Sequence, residues 1–214
     1  MTSDLLHDAM QANLTPLPRP RRLVSRLERV YTTVGSGLAM RHHLDRYDEI
    51  TSGPPAHGIE DDDLRSIASF LLTAAEGRWR RLARSLPHLW RRGGREHRRL
   101  TGMLLANLPN DALGEDRWTV LSSLLQSDVG LAAVAEAAEE VRRAAEGPSD
   151  EWLDAMAAQS HLWHRYAAVI AMTGDPAKAS EDLVRLVRLA DGATPMFERL
   201  RERWMERHLD SRQG

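Results

Sequence analysis

Residues 59–77 carry the sequence IEDDDLRSIASFLLTAAEG, which sets the pattern for most of the chain. Three consecutive acids, Asp61 to Asp63, stand where a helix N-terminus favours negative charge. The apolar residues that follow recur at the three- and four-residue spacing of one helix face. The stretch therefore predicts an amphipathic helix over residues 64–77. Its apolar face consists of Leu64, Ile67, Ala68, Leu71, Leu72 and Ala75.

Helical patterns of similar length continue from this stretch to the C-terminus. Glycine and proline separate them, as at Gly93-Gly94, Pro109 and Gly147-Pro148, and no stretch alternates with the period of two that a strand requires. The sequence thus predicts an all-α fold. The predicted helices beyond the first cover residues 78–91, 95–107, 116–127, 130–146, 149–158, 160–173, 176–191 and 195–210.

The predicted helices recur as pairs roughly every 35 to 40 residues. This spacing favours stacked antiparallel helix pairs of the HEAT-like repeat kind, in which successive pairs share one concave face. A plain helical bundle is the alternative, because it shows much the same distribution of apolar residues.

The first residues of the chain have a different pattern. A short helix is predicted over residues 4–13, and Pro16, Pro18 and Pro20 then exclude a regular helix. Apolar spacing predicts a further helix over residues 23–34. The cations around Pro20 form either a disordered tip or a contact for a phosphate backbone. They are Arg19, Arg21 and Arg22.

A second short helix is predicted over residues 38–50, before the sequence TSGPPAHG interrupts the chain. The repetitive helical pattern begins after this interruption. We therefore expect two parts: an N-terminal arm with capping helices at residues 1–60, and a helical-repeat domain at residues 61–214.

Composition limits the classes of protein to consider. The chain has 214 residues and no cysteine, so disulfide and thiolate chemistry are excluded. The N-terminus has early acids instead of the apolar core of a signal peptide, and no apolar run approaches the ~20 residues of a membrane span. We expect a soluble, cytoplasmic protein that does not engage a membrane.

Charge is distributed unevenly along the chain. The formal net charge is −2, from 29 basic and 31 acidic side chains. Residues 65–99 alone hold ten arginines and two acids, a balance of +8 that leaves −10 for the rest of the chain. One basic block on an otherwise acidic protein is suited to binding a polyanion on a single face.

Within that block, residues 78–99 hold nine arginines and two histidines against the single acid Glu96. Trp79 and Trp90 lie between the arginines, and arginine beside an aromatic surface is suited to phosphates and planar groups. The alternative is an ordinary solvated helix face, because arginine is the general cation of this chain and Lys178 is its only lysine.

Sequence signatures of common enzymes are missing. The residues at 35–37 lack the further glycines of a phosphate-binding loop, and there is no HExxH sequence. His42 and His43 are adjacent and therefore point to different sides of a helix. His161 and His164 share a face but have no acid at helical spacing beside them. We therefore predict neither a metal site nor a cofactor.

Three segments carry a resemblance to a known family. They are REHRRLTGMLLANLP at 95–109, DRWTVLSSLL at 116–125 and SHLWHRYAAVIAM at 160–172. Phe197, followed seven residues later by Trp204, adds a fourth similarity. Together they resemble the DNA alkylation repair glycosylases of the HEAT-like-repeat (AlkD) type, over residues 64–210. The resemblance implies a helical-repeat fold and DNA as the partner.

The chain departs from that family where the resemblance implies the catalytic group. The family has an aspartate four residues after the tryptophan that corresponds to Trp118, and this chain has Ser122 there. A neutral hydroxyl cannot stabilise the positive charge that develops as a glycosidic bond breaks. Asp116, Asp128 and Asp154 are candidate substitutes, and no spacing singles one of them out. The catalytic residue is therefore unknown.

Our leading hypothesis is a helical-repeat protein that binds DNA in a basic groove and resembles the repair glycosylases, with or without their activity. Trp118, Trp163 and Trp204 would line the groove. Arg165, which lies two residues after Trp163 where the family spacing is three, would hold phosphates with other arginines. Those other arginines are Arg91, Arg92, Arg95 and Arg98.

The competing hypothesis is a helical scaffold, without enzymatic activity, that engages a protein partner with an acidic surface. It explains the basic block and the acidic remainder of the chain equally well. The position of the three tryptophans distinguishes the hypotheses. Convergence with Arg165 in one groove favours DNA binding, and dispersal into separate cores favours the scaffold.

Overall fold

The computed structural model describes residues 2–35, 57–125, 129–191 and 194–213. All regular secondary structure in these ranges is helical, which confirms the predicted all-α fold. A single 3₁₀ turn, Pro176–Lys178, lies between the eleventh and twelfth α-helices. In chain order the α-helices are α1 (Thr2–Leu14), α2 (Pro20–Val34), α3 (Asp61–Ala74), α4 (Trp79–Ala83), α5 (Leu86–Arg92), α6 (Arg95–Asn107), α7 (Asn110–Leu113), α8 (Arg117–Leu124), α9 (Leu131–Ala144), α10 (Asp150–Ala157), α11 (His161–Met172), α12 (Glu181–Leu189) and α13 (Pro195–Gln213).

Capping side chains fix several helix starts. Asp116, Ser149, Ser160 and Ser180 each accept a hydrogen bond from a backbone N–H in the first turn of the helix that follows. An N-cap of this kind satisfies a donor that the helix leaves unpaired, and it contributes roughly 1 kcal/mol. The helix boundaries in the C-terminal half thus follow from local sequence.

Two predictions about prolines were wrong. The helix predicted over residues 78–91 is in fact two helices, α4 and α5, with Arg84 and Ser85 between them. Pro87 lies in the first turn of α5, and its missing N–H cannot continue the hydrogen bonds of the preceding helix. Pro20 starts α2 instead of excluding it, so the two arginines that follow it are helical. Proline is favoured in a first helical turn, where its missing N–H costs no hydrogen bond.

Helices α3, α6, α9 and α11 form a continuous row in which each packs against the next. Helices adjacent in the chain pack beside this row: α5 on α6, α8 on α9, α10 on α11, and both α12 and α13 on α11. This succession of packed helix pairs is an all-α helical-repeat fold. A specifically HEAT-like geometry of the pairs stays a prediction.

Helix α6 is buried along almost its whole length, from Arg95 to Ala106. Its close approach to α9 depends on small side chains, since a Cβ placed on Gly102 would lie 2.8 Å from the Cα of Ala137. Ala133 and Ala138 are also buried on α9. The tight contact encloses even the charged first turn of α6.

Two glycines join α5 to α6. Gly93 and Gly94 have φ angles of 71° and 77°, with ψ of −168° and 155°. Residues with a Cβ rarely adopt this backbone region, so the turn requires glycine at both positions. It redirects the chain from the exposed end of α5 into the buried start of α6.

Helices α1 and α2 share the core of the repeat. α1 packs on α2 and α3, and α2 packs on α5. Leu14, Leu23 and Leu27 are fully buried in a cluster that also contains Trp90. The division of the chain at residue 60 stays a prediction. The helix predicted over residues 38–50, with its two histidines, lies outside the described residues.

Candidate functional site

One side of α4 and α5 is apolar and the other is cationic. Leu82, Leu86, Leu89 and Trp90 are buried and anchor the two helices in the core. Because these positions lie on the inner side of each helix, the arginines between them face solvent. We call this surface the α4–α5 face. Its exposed arginines are Arg78, Arg80, Arg84, Arg91 and Arg92.

Most of the charge on the α4–α5 face is uncompensated. Arg92 is the one arginine of the face with an ion pair among the described residues, its Nε lying 2.6 Å from Oε1 of Glu28. The Nε groups of Arg84 and Arg91 donate to backbone carbonyls four residues earlier, at 3.2 and 3.0 Å. These bonds orient the guanidinium groups without neutralising them.

The arginines at the start of α6 have the opposite surroundings. Arg95 and Arg98 are only 6% and 4% exposed. Arg95 donates to the Ile59 carbonyl at 2.8 Å and pairs with Asp61, and the guanidinium carbon of Arg98 lies 6.0 Å from the ring centre of Trp90. The structure thus corrects the expectation that these two arginines hold phosphates, because packing of α6 between α3 and α9 encloses them.

A partly buried ion network joins α3, α6 and α9. Arg99 Nη2 lies 2.9 Å from Asp61 and 3.3 Å from Glu140, and Arg65 Nη2 lies 3.3 Å from the same glutamate. Glu140 also pairs with Arg143 on its own helix. Partial burial opposes ionisation of Asp61, but the arginines of α6 outweigh it and hold the pKa of Asp61 below its ordinary value. These arginines are therefore structural cations.

Trp118 is buried at the start of α8, where it is 6% exposed. Its Nε1 donates to the Glu146 carbonyl at 2.8 Å, and its ring centre lies 6.5 Å from that of Trp152. The guanidinium carbon of Arg142 lies 5.7 Å from the same ring. The indole therefore joins α8 to the end of α9 and to α10, and it does not present a face for stacking on a base.

Position 122 offers only a satisfied hydroxyl, since Ser122 is half-buried and donates to the Thr119 carbonyl at 2.9 Å. The carboxylate of Asp116 caps α8. Burial opposes its ionisation, but hydrogen bonds from the first turn of the helix lower its pKa. Asp154 is exposed on α10, and Asp128 lies outside the described residues. Of the two candidate aspartates that the structure describes, Asp116 therefore caps a helix and Asp154 faces solvent.

Trp163 and Arg165 lie near the start of α11. Trp163 is half-buried, with its ring 5.9 Å from that of Tyr166 in an edge-to-face contact. Arg165 is half-buried, and its Nε donates to the Asp191 carbonyl at 3.1 Å. Tyr166 stands where the resemblance implies an arginine, but it is fully buried and donates its hydroxyl to the Val129 carbonyl at 3.0 Å. Trp163 and Arg165 remain accessible from solvent.

Trp204 on α13 is fully buried. Its ring stacks on His208 at 5.9 Å with the planes 5° apart, and His208 Nδ1 lies 2.7 Å from the Pro176 carbonyl. Trp118, Trp163 and Trp204 lie on three different helices and share no ring contact among the described residues. Trp118 and Trp204 belong to one continuous hydrophobic core and Trp163 packs against it, so the three indoles neither converge in a groove nor lie in separate cores, and both hypotheses stay predictions. The case for DNA binding rests on the arginines.

The sequence analysis missed the carboxylates that hold the arginines of α6. Asp61 and Arg99 are 38 residues apart, and Arg65 and Glu140 are 75 residues apart, so no local spacing links them. The sequence feature that could have indicated these carboxylates is the position of acids directly beside apolar residues in α3 and α9. Such acids are buried when a cation from a neighbouring helix reaches them.

Other kinds of site find no support in the described part of the chain. No group of three histidine or acidic side chains there has the arrangement that a metal ion needs. His161 Nδ1 and Asp191 Oδ2 approach to 3.7 Å, but both side chains are largely exposed. No helix within the described ranges is long and apolar enough to cross a bilayer.

The chain matches a model of a known protein family. The model described as DNA alkylation repair enzyme matches residues 37–195. The matched span includes the α4–α5 face and the row of packed helices up to α12, and it leaves α1 and α2 outside. The match confirms the resemblance to DNA alkylation repair enzymes, and the HEAT-like-repeat type stays a prediction. Comparisons with curated proteins and with solved structures found no match.

Proposed function

We propose, on the premise that this chain belongs to the DNA alkylation repair enzyme family, that it binds duplex DNA through the α4–α5 face. The observation that carries the proposal is the uncompensated charge of that face, which lies inside the family span. Arginine side chains bind phosphate oxygens in a bidentate manner and position a protein on DNA whatever its base sequence.

The overall charge of the chain restricts where DNA can bind. With a net charge of −2, the protein is not attracted to a polyanion as a whole. Binding has to be confined to a face where cations are not paired with carboxylates. Apart from Arg92, the exposed arginines of the α4–α5 face meet this condition, whereas Arg95 and Arg99 of α6 do not, since Asp61, Glu136 and Glu140 pair with them.

We also propose that this chain does not excise alkylated bases by the family mechanism. The residue at the position of the catalytic aspartate is Ser122, whose hydroxyl is engaged with the Thr119 carbonyl. A hydroxyl carries no charge to stabilise the developing cation, and loss of such electrostatic stabilisation costs on the order of 10² to 10³ in rate.

Salt-dependent binding tests the proposal. Fluorescence anisotropy of a labelled duplex is measured with the wild-type chain over a series of salt concentrations. The slope of log Kd against log salt is expected to decrease by about 0.9 for each phosphate contact that is removed. A variant with four substitutions on the α4–α5 face should therefore lose about 3 to 4 units of slope. Its substitutions are Arg78→Gln, Arg80→Gln, Arg84→Gln and Arg91→Gln.

Helix α13 offers a matched control. Arg199, Arg203 and Arg207 are exposed, and the Nε groups of Arg203 and Arg207 also donate to backbone carbonyls four residues earlier. Together with Arg188→Gln, their replacement by Gln removes the same charge from another surface and should leave the slope nearly unchanged. Absence of duplex binding by the wild-type chain at low salt would falsify the proposal.

A base-release assay on alkylated duplex DNA tests the second part separately. We expect no release of methylated bases above the uncatalysed rate, under conditions in which anisotropy shows the duplex to be saturated with protein. Release at saturation would show that another group replaces the missing aspartate. That result would leave the binding proposal intact, because the two measurements are independent.

A further inference from the structure

Helix α2 precedes the span that matches the family, yet its start contributes cations beside that span. Arg19, Arg21 and Arg22 are exposed at the start of α2. On the opposite side of the same helix, Leu23 and Leu27 are fully buried and hold α2 in the common core. The position of these arginines is therefore set by packing.

An open cleft of about 580 Å³ lies between the start of α2 and α5. Its lining contains four arginines and one histidine, and it contains no carboxylate. The lining residues are Arg19, Pro20, Arg21, Arg22, Arg84 and His88. A cleft with this composition is unusual on a chain that has more acids than bases.

Two further hollows extend the cleft. One, of about 370 Å³, shares Arg19 and Arg22 with the cleft and also contacts Arg26 and Arg81. The other, of about 410 Å³, is lined by Arg81 and Arg84 among others, and Asp111 is the one acid in its lining. Because neighbouring hollows share arginines, the three form one surface. We call the cleft and both hollows together the α2–α4 cleft.

Two contacts join residues 18–28 to α4 and α5 and fix the shape of the α2–α4 cleft. Arg81 Nε donates to the Pro18 carbonyl at 3.3 Å. Arg92 Nε pairs with Glu28 Oε1 at 2.6 Å. A surface that is formed before binding loses less conformational freedom when a ligand arrives.

The electrostatics of the cleft also indicate an anionic ligand. The pKa of His88 is lowered, first by partial burial and then by the charges of Arg91 and Arg21. None of the cleft's arginines from α2 has an ion-pair partner among the described residues. A bound phosphate would relieve the mutual repulsion of these cations.

We propose that the α2–α4 cleft binds the phosphate backbone of DNA and extends the contact surface of the α4–α5 face beyond the family span. Three adjoining hollows, each of which shares an arginine with the other two, offer positions for more than one phosphate of a strand. This inference rests on the proposed function, because the same duplex must contact both surfaces.

The test uses the full-length chain with Arg19→Gln, Arg21→Gln and Arg22→Gln. With a labelled duplex, we expect the salt slope to decrease by about 2 to 3 units, at 0.9 per phosphate contact. The triple variant Arg199→Gln, Arg203→Gln and Arg207→Gln on α13 should keep the wild-type slope. Replacement of the three α2 residues by Lys should restore most of the slope, since the charge returns.

The outcomes separate the two proposals. If the wild-type chain binds duplex DNA and the α2 variant keeps the full slope, the cleft is not a DNA contact and the proposed function stands. If the wild-type chain does not bind, both fail. Competition by a polyglutamate peptide as strong as that by DNA, at equal charge concentration, would overturn the assignment to phosphates and indicate an acidic protein. Equal melting temperatures of the variants exclude misfolding.

Discussion

The arginines before and after Gly93-Gly94 have contrasting surroundings although they belong to one basic block. Before the glycines, Arg84 and Arg91 are exposed, and their charges have no carboxylate partner among the described residues. After the glycines, Arg95 and Arg99 are buried and paired with carboxylates of α3 and α9. Charge density in the sequence therefore does not tell which cations are available to a partner.

The contrast has an energetic basis. Transfer of a guanidinium from water into the core costs several kcal/mol, so a buried arginine must be matched by carboxylates and hydrogen bonds. Arg95 and Arg99 of α6 have such carboxylate partners, and these contacts hold the two side chains in place. An exposed arginine contributes little to stability and is thus available for binding. The variants that follow probe this difference, in order of decreasing expected effect.

The largest effect is expected from Glu140→Ala. The Glu140 side chain is 4% exposed and contacts Arg65, Arg99 and Arg143. Its removal leaves Arg99 buried with fewer anionic partners, which should lower the free energy of unfolding by about 3 to 5 kcal/mol. Urea-induced unfolding followed by circular dichroism measures the change. The neighbouring exposed residue gives the control, since Glu139→Ala should cost about 0.5 kcal/mol or less. Equal losses in the two variants would contradict a special role of the buried carboxylate.

A comparison of His97 on α6 with His88 on α5 gives the next effect. Burial lowers the pKa of His97 to about 4, and His57 and Arg92 act in the same direction against Glu28. As pH falls below about 6.5, the unfolded chain takes up a proton that the folded chain excludes. The contribution of His97 to the free energy of unfolding is therefore fully present above about pH 6.5 and is lost as the pH falls towards 4. It amounts to about 3 kcal/mol at most.

The variant His97→Phe should lack this part of the acid dependence. Unfolding free energies of wild type and variant are measured between pH 4 and 7, and their difference isolates the histidine from the carboxylates that titrate in the same range. His88→Phe is the matched variant from the exposed region and should change the dependence less, because His88 remains partly solvated. An unchanged acid dependence in His97→Phe would mean that the ring is protonated in the folded state.

Gly102→Ala tests the helix contact that encloses the ion network. The added Cβ would lie 2.8 Å from the Cα of Ala137, which forces α6 and α9 apart. We expect a loss of about 1 to 3 kcal/mol in unfolding free energy. The sign of this change in unfolding free energy is decisive, because Gly→Ala in a helix without close neighbours stabilises the protein by about 1 kcal/mol. A more stable variant would show that the two helices are not in tight contact.

The smallest effect on stability is expected from Arg91→Gln. This exposed side chain has no carboxylate partner among the described residues, so the free energy of unfolding should change by about 0.5 kcal/mol or less. The salt slope of DNA binding should nevertheless fall by about 0.9. Arg95→Gln, identical in chemistry, should instead lower stability. If Arg91→Gln lowered stability and Arg95→Gln lowered only the salt slope, the distinction between the exposed and the buried arginines would be wrong.

Much of the fold was predictable from the sequence because the apolar residues of a helix face recur every three to four positions. The helix predicted over residues 95–107 coincides with α6, and the capped starts of α10 and α11 lie within a residue or two of their predicted positions. The four residues of α7 were missed, since one turn is too short to show a period. The region before α12 was predicted as helix but forms a 3₁₀ turn after Asp175.

The candidate site was less predictable, for a physical reason. Periodicity identifies the apolar face of a helix, but it cannot show that a polar first turn is also enclosed. Burial of Arg95 and Arg98 follows from the approach of α3 and α9, a property of the assembled fold. Trp118 and Trp204 were predicted to line a groove because of the family resemblance, but both are buried, where they pack against Trp152 and His208.

The glycine pair between α5 and α6 also determines the residue at which the buried helix begins. Neither glycine is helical, so deletion of one would leave the positive-φ turn incomplete. Helix α5 or α6 would then have to give up a residue to close the gap, which would disturb the pairing of the α6 arginines with Asp61 and Glu140. Alignments of relatives across this junction should be anchored on Gly93 and Gly94, because a single misplaced gap would exchange interior cations with surface ones.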